Sequence, residues 1–317
     1  MAQTIEIIVN TSELTAGTRG ASLGPGAIMA AARMHNNPLF GTVPWQSLPD
    51  FNHYLDAPVT TPYAKRIDGY AKVFESISGK TAELLKQGKF PLVLAADHGS
   101  AAGTIAGIRQ AFPEKRLGVV WIDAHGDLHS PYTTPSGNVH GMPLSISLAD
   151  DNKECAHNTP DTHTVSVWDS LKNHGGISPK IEAKDLVFVA VRDTEAEEEA
   201  LIERRQIVNH TVEQLRRRGV AAVVADINQQ LSECDAIYIS FDVDAMDPEL
   251  TSFGTGTPVG NGITPDEARE LLVSLAVHPK TVCIEFVEVN PCLDNKVNTM
   301  AETALSLVTA VADTLTK

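Results

Sequence analysis

The side chains most able to do chemistry fall in three short stretches: Asp97-His98, Asp123-Ala124-His125-Gly126-Asp127 and Asp242-Val243-Asp244. All their ionisable groups are carboxylates and imidazoles, a donor set without thiolate that suits divalent cations such as Mn²⁺ and also accepts Co²⁺, Ni²⁺ or Zn²⁺. In extended backbone, residues two apart project from the same face. Asp123, His125 and Asp127 can therefore converge, and so can Asp242 and Asp244. With His98 they make four carboxylates and two imidazoles, a set whose negative charge matches two divalent cations sharing a carboxylate. A lone Asp or His at a strand end is more often a cap or a satisfied hydrogen-bonder, and that is the better reading of His98 taken alone. It is a poor reading of Asp123, His125 and Asp127 together, because three ionisable groups beside Trp121-Ile122 need a cation or a polar network.

Each stretch follows a short apolar run rich in β-branched residues, at 91–95, 118–122 and 236–241. Similar runs stand at 5–9, 186–191 and 282–286, all with the length of buried strands. Helical spacing fills the intervals at 64–86, 104–112, 197–218, 265–277 and 302–315. This alternation predicts a mainly parallel sheet with helices on both faces, a three-layer α/β/α fold in which ligands collect at the carboxyl ends of the strands. Thr264-Pro265-Asp266-Glu267 predicts a helix start: a capping residue, a proline in the first turn, then acids at the positive end of the helix dipole. The stretch 150–184 reads as loops with some regular structure at 165–171.

The chain has 317 residues, 43% hydrophobic and 21% charged, the balance of a soluble globular protein; no linker divides it, so residues 1–317 read as one domain. Its formal charge of −15 repels nucleic acid and anionic lipid. The basic tract Arg216-Arg217-Arg218 sits at a helix end, where it complements the dipole. Cys155, Cys234, Cys283 and Cys292 show no CxxC spacing and read as free thiols of a reducing compartment. The N-terminus lacks a signal-like basic and apolar pattern, and no segment has the length of a membrane span, so a cytoplasmic protein is expected.

The blocks DAHGDLHSPYTTPSGNVHG (123–141), SFDVDAMDP (240–248), GTGTP (254–258) and EVNP (288–291), preceded by GTRGASLGP (17–25), resemble the ordered signatures of the arginase/agmatinase (ureohydrolase) superfamily, with arginase the nearest resemblance. Agreement over several blocks in order is far more specific than one short motif. The resemblance implies a sheet of about eight strands and a two-manganese site. His98, Asp123, Asp127 and Asp242 would surround one ion, and Asp123, His125, Asp242 and Asp244 the other. It also implies hydrolysis of a guanidino C–N bond, with L-arginine giving L-ornithine and urea, and a homo-oligomer, trimeric or hexameric.

In that scheme hydroxide attacks the guanidinium carbon. Asp127 orients the hydroxide and passes on its proton, Glu288 pairs with the guanidinium through two parallel hydrogen bonds, and His140 shuttles a proton. Thr134, Ser136 and Asn138 match the segment that grips the substrate's α-carboxylate, but its first contact, normally asparagine, is His129 here. Glu195 and Glu198, after Arg192-Asp193, match the stretch that binds the α-amino group, with Glu195 where aspartate is usual. The acidic run 195–199 serves equally well as a helix start. Ala95-Ala96-Asp97-His98-Gly99 lacks the usual glycine pair and following serine, yet its small residues still allow the metal site. Three alternatives remain: a ureohydrolase for agmatine, guanidinobutyrate or another guanidino acid; a one-zinc deacetylase-like amidohydrolase, which both Asp pairs and EVNP oppose; and a metal-stabilised binding protein without turnover.

Overall fold

The apolar runs become strands. In the computed structural model, which describes residues 2–317, they are β1 (Ile5–Asn10), β3 (Phe90–Ala95), β4 (Leu117–Ile122), β5 (Leu186–Val189), β7 (Ala236–Asp242) and β8 (Thr281–Val287). Two short strands, β2 (Trp45–Ser47) and β6 (Val208–His210), finish the edges of one sheet with the order β2-β1-β3-β8-β7-β4-β5-β6. Every pairing is parallel. Alternate residues face opposite layers: Leu92, Leu94, Ile239 and Phe241 join one apolar core, which includes residues of the helices Gly24–Met34, Val220–Gln230, Pro265–Ala276 and Thr299–Leu315. Val93, Ala95 and Tyr238 join the other, with residues of the helices Ile67–Lys86 and Ser100–Ala111. The three-layer α/β/α arrangement expected from the alternation is the one observed.

The segment 197–218 is not one helical element. It divides into the helix Ala196–Arg205, strand β6 and the helix Val212–Arg218. Gln206 ends the first helix in a left-handed conformation with φ 54°. Thr211 restarts the second, its hydroxyl accepting from the Gln214 amide while the Gln214 side chain accepts from the Thr211 amide, a capping box within the segment. The helix start at Thr264 is as predicted, with Thr264 Oγ1 accepting from Glu267 N at 3.0 Å and the Glu267 carboxylate accepting from Thr264 N at 2.7 Å. The helix expected at 104–112 begins four residues earlier, at Ser100, directly behind His98. Regular structure near 165–171 is the helix Thr162–Lys172, capped by Asp161.

Because all strands run the same way, their carboxyl ends lie along one edge. At the centre, β3, β8, β7 and β4 are successive neighbours, and the segments leaving them carry Asp97-His98, Glu288, Asp242 with Asp244, and Asp123 to Asp127. Among the described residues, no helix is long and apolar enough to cross a membrane.

Candidate active site

The six residues singled out as metal ligands meet at this edge. His98 Nδ1 lies 2.9 Å from Asp123 Oδ2 and 3.2 Å from both Asp127 Oδ2 and Asp242 Oδ2. On the other side, His125 Nδ1 lies 3.4 Å from Asp123 Oδ1 and 3.2 Å from Asp244 Oδ2. Asp123 thus turns one oxygen to each histidine, the position of a shared ligand. Backbone amides hold the carboxylates in place: His125 N donates to Asp123 Oδ1 at 2.7 Å, and Asp244 N to Asp242 Oδ1 at 2.8 Å.

His98 Nδ1 and Asp123 Oδ2 are buried and have no hydrogen-bond partner, although they are 2.9 Å apart. Close approach without hydrogen-bond geometry is how two donors to a common cation stand; unmet buried groups otherwise cost about 1–3 kcal/mol each. Charge points the same way. Burial first, then the neighbouring carboxylates Asp244 and Asp123, push Asp242 far above the usual carboxylate range. Asp127 and Asp244 are raised as well, burial again leading. Burial alone would lower His98 and His125, but the surrounding aspartates outweigh it and raise both. A site that draws protons so strongly is one that divalent cations would occupy in their place, so the donor set fits two such ions.

Contacts outside the ligands fix their aim. His98 Nε2 is 2.7 Å from Ser240 Oγ, and its ring stacks on Trp121 at 4.0 Å between centroids. Thr257 Oγ1 donates to Asp244 Oδ2 at 3.1 Å. Asp127 and Glu288 have φ of 49° and 69°, left-handed values that cost a non-glycine residue about 1–3 kcal/mol and collect at functional sites.

A cavity of about 300 Å³ opens above this floor. His98, His125, Asp127 and Asp242 line its base, and Glu288 and His140 stand over them. Glu288 Oε1 accepts from His98 N at 2.9 Å and lies 3.3 Å from His140 Nδ1. Burial pushes His140 down, but Glu288 beside it more than compensates and raises it.

The far wall carries every residue assigned by resemblance to the substrate's amino-acid end: His129, Thr134, Ser136, Asn138, Glu195 and Glu198. Here the helix start and the site coincide, because Glu195 caps the helix Ala196–Arg205 in a box with Glu198 while both acids line the cavity. His129 is fully engaged, Nδ1 with Thr133 Oγ1 at 3.2 Å and Nε2 with Glu195 Oε2 at 3.1 Å. That contact lowers Glu195 to about 2, whereas burial raises Glu198 to about 8. Thr134 Oγ1 accepts from Gly137 N at 2.9 Å and Ser136 Oγ from Asn138 N at 3.1 Å, so both hydroxyls also shape their own loop.

Several site residues carried no role in the sequence reading. Gly17, Thr18, Asp193, Gly256 and Thr257 line the cavity; all but Asp193 lie in the glycine-containing blocks, whose spacing marks a segment but not a contact. Asp97 holds the two residues just before the first of these blocks, accepting from Thr15 N at 3.0 Å and Ala16 N at 3.2 Å. Burial, with Glu288 nearby, raises it to about 7.

A sequence model of the Arginase family matches residues 4–313. The arginase of Bacillus subtilis (strain 168) is 33% identical over 309 residues, covering 97% of each chain. A crystal structure of arginase from the same species superposes with a TM-score of 0.80 at 32% identity, covering 98% of both chains. The arginase of Entamoeba histolytica, solved in complex with L-ornithine, gives 0.80 at 25% identity and covers 99% of both. Shared sequence along nearly the whole length, the same fold and a hydrolase's buried aspartate–histidine centre lead to one conclusion: the chain belongs to the arginase family.

Proposed function

We propose that this enzyme hydrolyses L-arginine to L-ornithine and urea with two Mn²⁺ ions, Co²⁺ or Ni²⁺ being able to replace them. The observation that carries the reading is Glu288: a buried carboxylate in the same cavity as the ligand set, held by the His98 amide and beside His140. A carboxylate there recognises a planar guanidinium through paired charge-assisted hydrogen bonds. The relatives named arginase, one of them solved with L-ornithine, support the same substrate.

His98, Asp123, Asp127 and Asp242 would hold one ion, and Asp123, His125, Asp242 and Asp244 the other. The chemistry that such a pair supplies when bound is a hydroxide nucleophile near neutral pH. This chain's residues do the rest. Glu288 fixes the guanidinium so that its carbon faces the floor. Asp127 accepts the nucleophile's hydrogen bond and holds its proton on a carboxylate oxygen. His140, raised by Glu288, carries a proton on its ring for the departing amine. Thr134, Ser136 and Asn138 receive the α-carboxylate with His129 beside them, and Glu195 and Glu198 receive the α-amino group. The free cysteines support a reducing, cytoplasmic setting.

A second reading, hydrolysis of agmatine or another guanidino compound without an α-carboxylate, is favoured by one observation. Both nitrogens of His129 are occupied by Thr133 and Glu195, which leaves neither for a carboxylate, whereas Glu195 and Glu198 on the same wall suit an amine. The deciding experiment is urea release from a panel of guanidino compounds after reconstitution with Mn²⁺, Co²⁺ or Ni²⁺. Arginine should be the best substrate; a higher kcat/KM for agmatine selects the second reading, and urea from none of the panel refutes both.

A further inference from the structure

The cavity wall that carries Thr134, Ser136 and Asn138 is braced from behind by residues 61–66, which lead into the helix Ile67–Lys86. Thr61 closes a turn there, its hydroxyl donating to Ala64 O at 2.8 Å while Ala64 N donates to Thr61 O at 3.2 Å. Against this turn lies the loop 136–138. Gly137, at φ 74°, comes so near that a Cβ on it would overlap the Pro62 carbonyl oxygen, and Gly137 O accepts from Lys65 N at 2.8 Å. The next residue of the loop is Asn138, whose Oδ1 accepts from Lys65 Nζ at 3.2 Å. On its other side the Asn138 amide meets Gly17, where a Cβ would stand 2.9 Å from Asn138 Nδ2 and 3.8 Å from His140 Nε2. Lys65 therefore grips the loop twice, by its backbone and by its ammonium.

We propose that Lys65 is a positioning and specificity-determining residue for a substrate carboxylate: it fixes the Asn138 amide with its NH₂ group toward the cavity and sets a positive charge behind it. The donors decide the orientation. An ammonium only donates, so the amide atom it meets is the oxygen, and the nitrogen points the other way, toward Gly17, which lines the cavity with Asn138 and His140. A side chain at position 17 would fill that space; glycine leaves it open. Among the described residues Asn138 Nδ2 meets no acceptor, so its hydrogens face the cavity unengaged. The neighbouring hydroxyls are engaged only as acceptors, Thr134 Oγ1 from Gly137 N and Ser136 Oγ from Asn138 N, and each keeps its own hydrogen to donate. Three such donors match the lone pairs of a carboxylate, but they are neutral. The same cavity carries Asp193, Glu195 and Glu198, which repel an anion, and His129 already stands 3.1 Å from Glu195 Oε2. Lys65, joined to the donors through Asn138, supplies the opposing charge.

Because this role rests on the arginine reading, binding is measured apart from turnover. The full-length protein loaded with Mn²⁺, and the variants Lys65→Met and Lys65→Arg, are titrated by calorimetry with L-ornithine and with 1,4-diaminobutane, its counterpart without the carboxylate. Urea release from L-arginine is followed beside them. Lys65→Met keeps the aliphatic stem and removes the charge. It should weaken L-ornithine about 10-fold, the lower end for a hydrogen bond that involves a charged group, and bind 1,4-diaminobutane no more weakly than the parent. KM for arginine should rise by a similar factor with kcat kept, and Lys65→Arg, which retains the charge, should recover most of the affinity. Parental ornithine affinity in Lys65→Met, equal weakening of both ligands as a mere loop brace would give, a Lys65→Arg protein as weak as Lys65→Met, or a parent that binds no ornithine would each overturn the assignment. Ornithine binding that depends on Lys65 in a protein releasing no urea from arginine would uphold Lys65 and refute the proposed reaction; urea release with ornithine indifferent to Lys65 would do the reverse.

Discussion

Replacing Glu288 by glutamine removes one charge from the cavity with little change of shape. The remaining amide oxygen can still accept from His98 N, now 2.9 Å from Glu288 Oε1, so the fold and the ligand set should survive. What is lost is the ionic half of the guanidinium contact. Glu288 is only 3% exposed, which puts it in the regime where truncating one partner of a buried charge pair costs about 2–5 kcal/mol. A glutamine keeps one hydrogen bond, so the lower part of that range applies, roughly 30- to 300-fold in kcat/KM at about 1.36 kcal/mol per decade. A second signature follows from His140. In the parent, Glu288 raises the imidazole against the effect of burial. Without that charge burial dominates and the pKa falls, so the alkaline limb of the kcat/KM profile should move to lower pH. The sign for stability is fixed by the same shift. The His140–Glu288 pair stabilises fully below the imidazole's unfolded pKa and is lost as pH rises through the raised folded value, so parent and variant should converge in stability over that window. Urea release across pH and metal content by elemental analysis are the measurements. Near-parental kcat/KM, or an unmoved alkaline limb, would refute the assignment of Glu288 as the guanidinium anchor.

Asp123→Ala removes the carboxylate that faces both histidines and should reduce bound metal from two equivalents to at most one; two equivalents in the dialysed variant would contradict a shared ligand. His129 is raised above its ordinary pKa, burial opposing and Glu195 prevailing, so the positive charge it offers an α-carboxylate fades as pH rises through that shifted value. The ratio of kcat/KM for arginine over agmatine should fall across the same range, and His129→Asn should flatten it; a preference for agmatine at every pH in both proteins would show that His129 does not read a carboxylate. Thr264→Ala breaks the capping box of the helix Pro265–Ala276 and should cost about 1 kcal/mol with kcat unchanged; a denaturation midpoint equal to the parent's would argue against the cap.

The candidate ligand set was legible in the sequence because each member follows an apolar run, but the extended alternation that suggested their convergence is not what brings them together: β4 ends at Ile122, Asp127 takes a left-handed φ of 49° and Asp244 lies in the 3-10 turn Val243–Ala245. The central strands were legible for the same reason, being continuous apolar runs buried on both faces. β2 was not, since three exposed residues carry no periodicity. β6 hid inside a charged segment of helical spacing, although Thr211 and Gln214 held the signal for a new helix start. The buried polar residues behind His98 were the least visible. Ser240 is one hydroxyl within a strand, and Glu285 is one acid in an apolar run; each acquires meaning only when β7 and β8 stand beside each other. His129 was legible as a departure, but its capture by Glu195 depends on how the helix Ala196–Arg205 is set against the loop after β4.

The strand order also governs how the chain comes together. β7 and β8, the last two strands in sequence, occupy the middle of the sheet between β3 and β4. In sequence order the chain supplies the strands of two flanking pieces, β2-β1-β3 and β4-β5-β6, before the two that join them, and each piece taken alone would end in an open edge that awaits a neighbour. Strand edges of this kind pair promiscuously with other chains, and closing them demands contacts such as His98 with Glu288, 190 residues apart. Long-range closure of that sort is slow. Chains cut short before β8 keep an open seam down the centre, and it is there that aggregation would begin.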